Sequence, residues 1–126
     1  MVADDEAIIC NIVRIGLEAA GFFVLSANDG DQALQLSRQF PGTIDAVVSD
    51  IRMPKLDGVS FLKLLLVERP DIKALFMSGQ TDRTLEGVAF LQKPFHIEEL
   101  KRRVRELLSP ALLREDANTA DAAAGS

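Results

Sequence analysis

Along the chain, short apolar runs alternate with longer stretches whose apolar residues recur every three or four positions. Ala7 to Ala20 has the longer period and predicts a helix. Ile8, Ile12, Ile15 and Leu17, with Ile9 and Val13 beside them, form a broad apolar face of the kind that covers a core. Asp4, Asp5 and Glu6 precede it, where negative charge suits the positive end of the helix dipole. Gly21 ends this helix, and Phe22 to Ala27 reads as a strand. Asn28-Asp29-Gly30 is a turn, and Asp31 to Phe40 is a second amphipathic helix with Ala33, Leu34 and Leu36 inward. Pro41-Gly42 breaks the pattern before a buried strand at Ile44 to Val48. That run ends on Asp50 and opens at once onto a loop holding Pro54 and Gly58. A third helix is predicted from about Val59 to Glu68, strands at Lys73 to Met77 and Val88 to Leu91, and a final helix from about Ile97 to Leu108. Only Met1, Val2 and Ala3 precede Asp4, so the first strand is either very short or the inner end of a longer one.

Strands alternating with helices predict an α/β fold with a parallel sheet covered on both faces. Residues 1–108 read as one domain, with no internal repeat. Beyond Pro110 the composition shifts to Ala, Asp, Asn, Thr, Gly and Ser, so residues 109–126 are expected to be a disordered tail. A length of 126 residues, 48% hydrophobic and 26% charged, suits one globular domain that needs no disulfides. The net charge of −5 offers no general attraction for nucleic acid or an anionic membrane. Cys10 is the single cysteine, which excludes an internal disulfide framework and a multi-cysteine zinc site; it is expected to be a buried packing residue. No apolar run approaches the roughly 20 residues of a membrane span, and the N-terminus lacks the pattern of a signal peptide. A cytoplasmic domain is the expectation.

Chemistry enters with the polar residues at the strand ends. Asp4 and Asp5 follow strand one, Asp50 ends strand three, Ser78 ends strand four and Lys93 follows strand five. Right-handed crossovers bring these ends to one edge of the sheet, where open α/β folds bind ligands. Three carboxylates together repel one another unless cations neutralise them, and Lys93 can supply one charge. A hard divalent ion suits the remaining oxygen-only donors, and an open cluster with room for water suits Mg²⁺ better than Ca²⁺. The ordinary alternative is a set of helix caps and surface acids. His96 and Cys10 lie in different elements and do not suggest a transition-metal site.

Four stretches carry a resemblance: Asp4-Asp5-Glu6, Asp50-Ile51-Arg52-Met53-Pro54 with Asp57-Gly58, Met77-Ser78-Gly79, and Phe90-Leu91-Gln92-Lys93-Pro94-Phe95. In this order the chain resembles the receiver domain of bacterial two-component response regulators, over about Met1 to Leu108. The resemblance implies a flavodoxin-like, doubly wound five-stranded sheet of order 2-1-3-4-5. It implies that Asp50 takes a phosphoryl group from a phosphohistidine on a sensor histidine kinase or histidine phosphotransfer protein. Asp5 and Asp50 would ligate Mg²⁺ directly, Asp4 through a water, with the backbone carbonyl of Arg52 completing the protein ligands. Lys93 would pair with Asp50 and then with the phosphate. Ser78 would bond another phosphate oxygen and vacate space for Phe90, the switch aromatic. The Lys93-Pro94 bond would be cis. The side chains of Arg52 and Gln80 are candidates for setting the rate of phosphoaspartate hydrolysis.

The segment from Ser78 to Phe90 is short for that family, by about one to two helical turns, so a shortened or missing fourth helix is expected, with Thr81 to Gly87 forming a single turn or irregular loop. Lys101, Arg102, Arg103 and Arg105 make a basic stripe on the last helix, read either as a solvated face or as a dock for an acidic partner. The leading function is a phosphoacceptor switch or relay that acts through protein contacts with a downstream target, not an enzyme with a turnover substrate. The alternatives are a Mg²⁺-dependent aspartyl-phosphate hydrolase, which usually carries a second acid where this chain has Arg52, and a docking module that is never phosphorylated.

Overall fold

The structure, a computed structural model, describes residues 1–79 and 88–109. Five parallel strands form one sheet: β1 (Val2–Ala3), β2 (Ser26–Ala27), β3 (Ala46–Asp50), β4 (Lys73–Ser78) and β5 (Ala89–Gln92), in the order β2-β1-β3-β4-β5. Among the described residues four helices cover it: α1 (Ala7–Ala19), α2 (Gly30–Gln39), α3 (Gly58–Glu68) and α4 (Ile97–Leu108). The expected architecture and strand order are therefore present. The segment expected to replace a further helix, Thr81 to Gly87, lies outside the described residues, as does the expected tail beyond Ser109.

Alternation along the strands divides the core in two. Val2, Val48, Leu75, Met77 and Leu91 point toward α1 and α4, meeting Cys10, Val13, Leu17, Leu100 and Val104. Ala3, Val47 and Phe76 point the other way, toward Ala33 and Leu34 of α2 and Phe61, Leu62 and Leu65 of α3. A strand buried on both faces has no polar side to spare, which explains the continuous apolar runs in the sequence. Cys10 is buried as expected; burial raises its thiol pKa, and its Sγ lies 3.6 Å from the Ala27 carbonyl.

Two local readings need correction. The face of α1 that enters the core carries Cys10, Val13, Gly16 and Leu17, with Ile9 partly buried. Ile8, Ile12 and Ile15 lie on the other side, 75%, 49% and 57% exposed. An apolar period marks a stripe without saying what covers it. The second correction is β2, which is only Ser26–Ala27, because β1 offers ladder partners only at Val2 and Ala3. Leu25 contributes only its carbonyl, which accepts from the Val2 amide at 2.8 Å, and Phe22 to Val24 is outside the strand.

The ends of α2 and α3 are fixed by polar contacts. Asp29 and Asp57 cap them, accepting from the amides of Gln32 and Ser60 at 2.7 and 2.8 Å. Arg69, just past α3, donates to the carbonyls of Ser37, Phe40 and Gly42 at 2.8–2.9 Å and so satisfies the exit of α2. The start of α3 also fits tightly against the end of β3. The Gly58 amide bonds the Ile51 carbonyl at 2.7 Å, and a Cβ at Gly58 would run into the backbone of Asp50 and Ile51.

Candidate functional site

The parallel register sets the site. Asp50 ends β3 opposite Met77, one position before Ser78, while Asp4 follows directly on β1, whose Ala3 pairs with Ser49. Lys93 follows β5, and its amide bonds the Ser78 carbonyl at 2.7 Å, which carries the ladder one rung past the strand. The Lys93-Pro94 peptide is cis, as expected.

The sheet thus brings Asp4, Asp5, Asp50, Ser78 and Lys93 to one edge. The ligand oxygens of Asp4, Asp5 and Asp50 all lie within 4.8 Å of one another. Asp4 is fully buried and Asp50 is buried, whereas Asp5 is exposed. Asp4 is the most engaged of the three: one oxygen accepts from the Glu6 amide at 2.9 Å and the other from Lys93 Nζ at 2.8 Å. Lys93 Nζ also reaches Asp50 at 3.4 Å and Glu6 at 3.3 Å. The ammonium therefore sits nearest Asp4 and bridges to Asp50, a wider sharing than a simple Lys93–Asp50 pair. Glu6, which the sequence places in the Asp4-Asp5-Glu6 stretch and at the helix entry but not among the site residues, thus joins the Lys93 contacts.

The electrostatics follow from burial and crowding. Burial pushes the Asp50 carboxyl above its usual range, the Asp4 charge adds to this, and Lys93 and the Arg52 amide oppose it. Burial alone would lower the Lys93 ammonium, but Asp4, Asp50 and Glu6 together hold it above the ordinary lysine value. Lys93 stays charged, and the three aspartates still present an excess of negative charge. Oxygen-only donors, one exposed to solvent, fit a hard divalent ion such as Mg²⁺. Asp5 is the acid open to direct ligation, and the two contacts made by Asp4 suit a less direct role.

Ser78 is buried at the end of β4, beside these groups. Arg52 is exposed, and its amide approaches Asp50 Oδ1 at 3.4 Å. Phe90, partly buried on β5, leans on the α2–α3 side of the core, and Arg103 donates to its carbonyl at 3.0 Å. Gln80 lies outside the described residues. On α4, Lys101 pairs with Glu98 and Arg102 with Glu106, so much of the basic stripe is matched by acids on its own helix. That pattern favours a solvated face. No helix among the described residues is long and apolar enough to cross a membrane.

Comparison with known proteins gives the family. The sensor kinase CckA of Brucella abortus is 37% identical over 86% of this chain, which corresponds to 12% of the kinase. The probable transcriptional regulatory protein TcrX of Mycobacterium tuberculosis is 34% identical over 86% of the chain and 48% of its own length. The chain thus spans half or less of these relatives. The crystal structure of the receiver domain from the hybrid histidine kinase CckA superposes with a TM-score of 0.77 at 35% identity, over 86% of this chain and 96% of that one. The response regulator receiver domain family matches residues 1–105, and the chain belongs to that family.

Proposed function

We propose that Asp50 is the phosphoacceptor of a two-component phosphorelay. The observation that carries this reading is a buried carboxylate at the end of the central strand, 3.4 Å from an ammonium and within 4.8 Å of two further acids. An Asp50 oxygen attacks the phosphorus of a phosphohistidine, an O–P bond forms as the P–N bond breaks, and the leaving imidazole takes a proton. A bound Mg²⁺ would hold phosphoryl oxygens and offset their charge. Asp5 and Asp50, with the Arg52 carbonyl, would hold it directly and Asp4 through water.

The remaining residues follow from charge balance. A phosphate adds roughly −1.5 to −2 charges, so the Lys93 ammonium swings from the Asp4 side toward the new oxygens. The Ser78 hydroxyl donates to another oxygen, and Phe90 enters the space this movement opens. The donor is a histidine kinase or phosphotransfer protein, and the output is an altered protein contact rather than a released product. The exposed Ile8, Ile12 and Ile15 begin one turn from Asp4 to Glu6 and give that donor an apolar surface beside the acids.

The wild-type protein, given Mg²⁺ and a small phosphodonor such as acetyl phosphate, should gain one phosphate by intact mass, and chelation should prevent it. No adduct with donor in excess would leave the docking-module reading. Continued turnover of a phosphate ester would favour the hydrolase, although Arg52 stands where such enzymes carry their second acid.

The lifetime of the adduct is assigned to the side chains of Arg52, two positions after Asp50, and Gln80, two positions after Ser78. Arg52→Ala and Gln80→Ala should each change the decay rate several-fold, followed as loss of adduct mass with time. Unchanged decay in both would remove them from this role.

A further inference from the structure

Lys93 has more carboxylate around it than a pair with Asp50 requires. Its Nζ lies 2.8 Å from Asp4, 3.3 Å from Glu6 and 3.4 Å from Asp50. Asp4 and Glu6 both belong to the connection between β1 and α1, whereas Asp50 ends β3. Among the described residues, then, the two shorter contacts draw the ammonium toward the β1 side and the longest draws it toward Asp50.

Glu6 does not serve the helix it precedes in the usual way. It is the N-cap of α1, yet its side chain makes no capping hydrogen bond, and the residues that cap well are the shorter Ser, Thr, Asp and Asn. Its amide bonds Asp4 Oδ1 at 2.9 Å, and its carboxylate turns to Lys93. A negative charge suits the start of a helix wherever the side chain points, so the dipole alone does not explain this direction.

The two contacts on the β1 side differ in how readily they are given up. Asp4 is fully buried, and withdrawing Lys93 would leave one of its oxygens buried without that partner. The Glu6 side chain is 62% exposed, so water replaces the ammonium there at little cost. A new anion on Asp50 therefore takes Lys93 from Glu6, with Asp4 as the pivot.

We propose that Glu6 is a positioning residue that restrains Lys93 and thereby sets how tightly the site holds a phosphoryl group, a role that rests on Asp50 being the phosphoacceptor. The bond from Lys93 to a phosphoryl oxygen forms at the expense of the Glu6 pair. Whatever attraction Glu6 supplies is subtracted from the hold on that group.

The probe is beryllofluoride, which takes the phosphoryl position on a carboxylate without a transfer step. It is titrated at saturating Mg²⁺ into ¹⁵N-labelled wild type, Glu6→Gln and Glu6→Asp. Occupancy is read at the amides of Ile51 and Ser78, since the chain has no tryptophan or tyrosine. Glu6→Gln should bind the probe about two- to fivefold more tightly, the range an exposed ion pair gives. Glu6→Asp keeps the charge but is one methylene shorter, so it loses the reach to Lys93 and should also bind more tightly. Mg²⁺ alone, followed at the same amides, should bind no more tightly to either variant. Unchanged or weaker beryllofluoride binding in Glu6→Gln overturns the proposal. So does tightening in Glu6→Gln with wild-type affinity in Glu6→Asp, because net charge and not the Lys93 contact would then be the cause. Parallel tightening of Mg²⁺ overturns it too, by tracing the effect to the metal. If the wild type takes no beryllofluoride at all, the phosphoacceptor reading of Asp50 fails first and the role of Glu6 falls with it.

Discussion

Asp50→Asn should abolish the phosphate adduct outright and, in the metal-free protein, raise the thermal midpoint. The first effect follows because an amide oxygen is a poor nucleophile and the neighbouring acids lie on other strands. The second follows from electrostatics. Asp50 is buried among like charges, so its folded carboxyl holds its proton more tightly than the ordinary carboxylate of the unfolded chain. Stability associated with it is therefore fully present below the unfolded value of about 3.9 and is lost as pH rises through the raised folded value. At neutral pH the wild type bears that loss, and asparagine, of nearly the same shape, does not. A rise of roughly 4–8 °C, the shift that about 1 kcal/mol gives a domain near this size, is expected by circular dichroism with chelator present. The gap between the two proteins should narrow as pH falls. It should also narrow when Mg²⁺ is added, because an ion that binds only the folded wild type stabilises it. An adduct of unchanged yield in Asp50→Asn would move the phosphoacceptor elsewhere. An unchanged or lower midpoint at neutral pH would mean that Lys93 already compensates the charge in full.

Gly58→Ala should be the most damaging glycine-to-alanine change among the described residues. The added carbon would meet the Asp50 carbonyl oxygen, the Asp50 carbonyl carbon and the Ile51 Cα, all of them backbone. Rotamer changes cannot relieve contacts of that kind, so either α3 moves outward or the end of β3 is displaced. Overpacking of this sort costs about 3 kcal/mol. Moving the end of β3 also shifts Asp50 relative to Asp4 and Lys93, and a misplacement near 1 Å can cost roughly 10²-fold in rate. Urea unfolding and the rate of adduct formation read the two effects separately. Gly79→Ala is the comparison for stability: a Cβ there meets nothing within 4 Å and should change stability by less than about 0.5 kcal/mol. If Gly58→Ala were equally mild, the close seating of α3 on β3 would not be what holds Asp50 in place.

Much of this was legible in the sequence, for reasons that differ between residues. Asp50 could be placed because a buried strand followed by Pro54 and Gly58 has one plausible end, and the carboxylate stood on it. Ser78 and Lys93 followed from the same logic, since parallel strands put all their carboxyl ends on one edge. The side of α1 was not legible. Its residues are apolar nearly all round, and period alone could not tell Ile8, Ile12 and Ile15 from Cys10, Val13 and Leu17. The contraction of β2 was hidden as well, because a strand needs a partner and Phe22 to Val24 has apolar character without a ladder partner among the described residues. The three-way sharing of Lys93 depends on side-chain reach between elements far apart in sequence, which spacing does not encode. The seating of Gly58 was visible only as turn punctuation, although its tighter constraint is the approach of two backbones.

The isoleucines on the outer side of α1 also govern how the native protein behaves at the bench. Ile8, Ile12 and Ile15 present branched hydrocarbon to water in the folded state, on a helix that is otherwise firmly seated through Cys10, Val13 and Leu17. A polarity-sensitive dye should therefore fluoresce with this protein before any heating, and the native fold should be retained on a hydrophobic-interaction resin. Neither behaviour would signal a molten or damaged sample. Ile12→Ser should lower both the baseline and the retention while leaving the far-ultraviolet spectrum unchanged, and dye-based melting curves of the two proteins would then differ in their starting level more than in their midpoint.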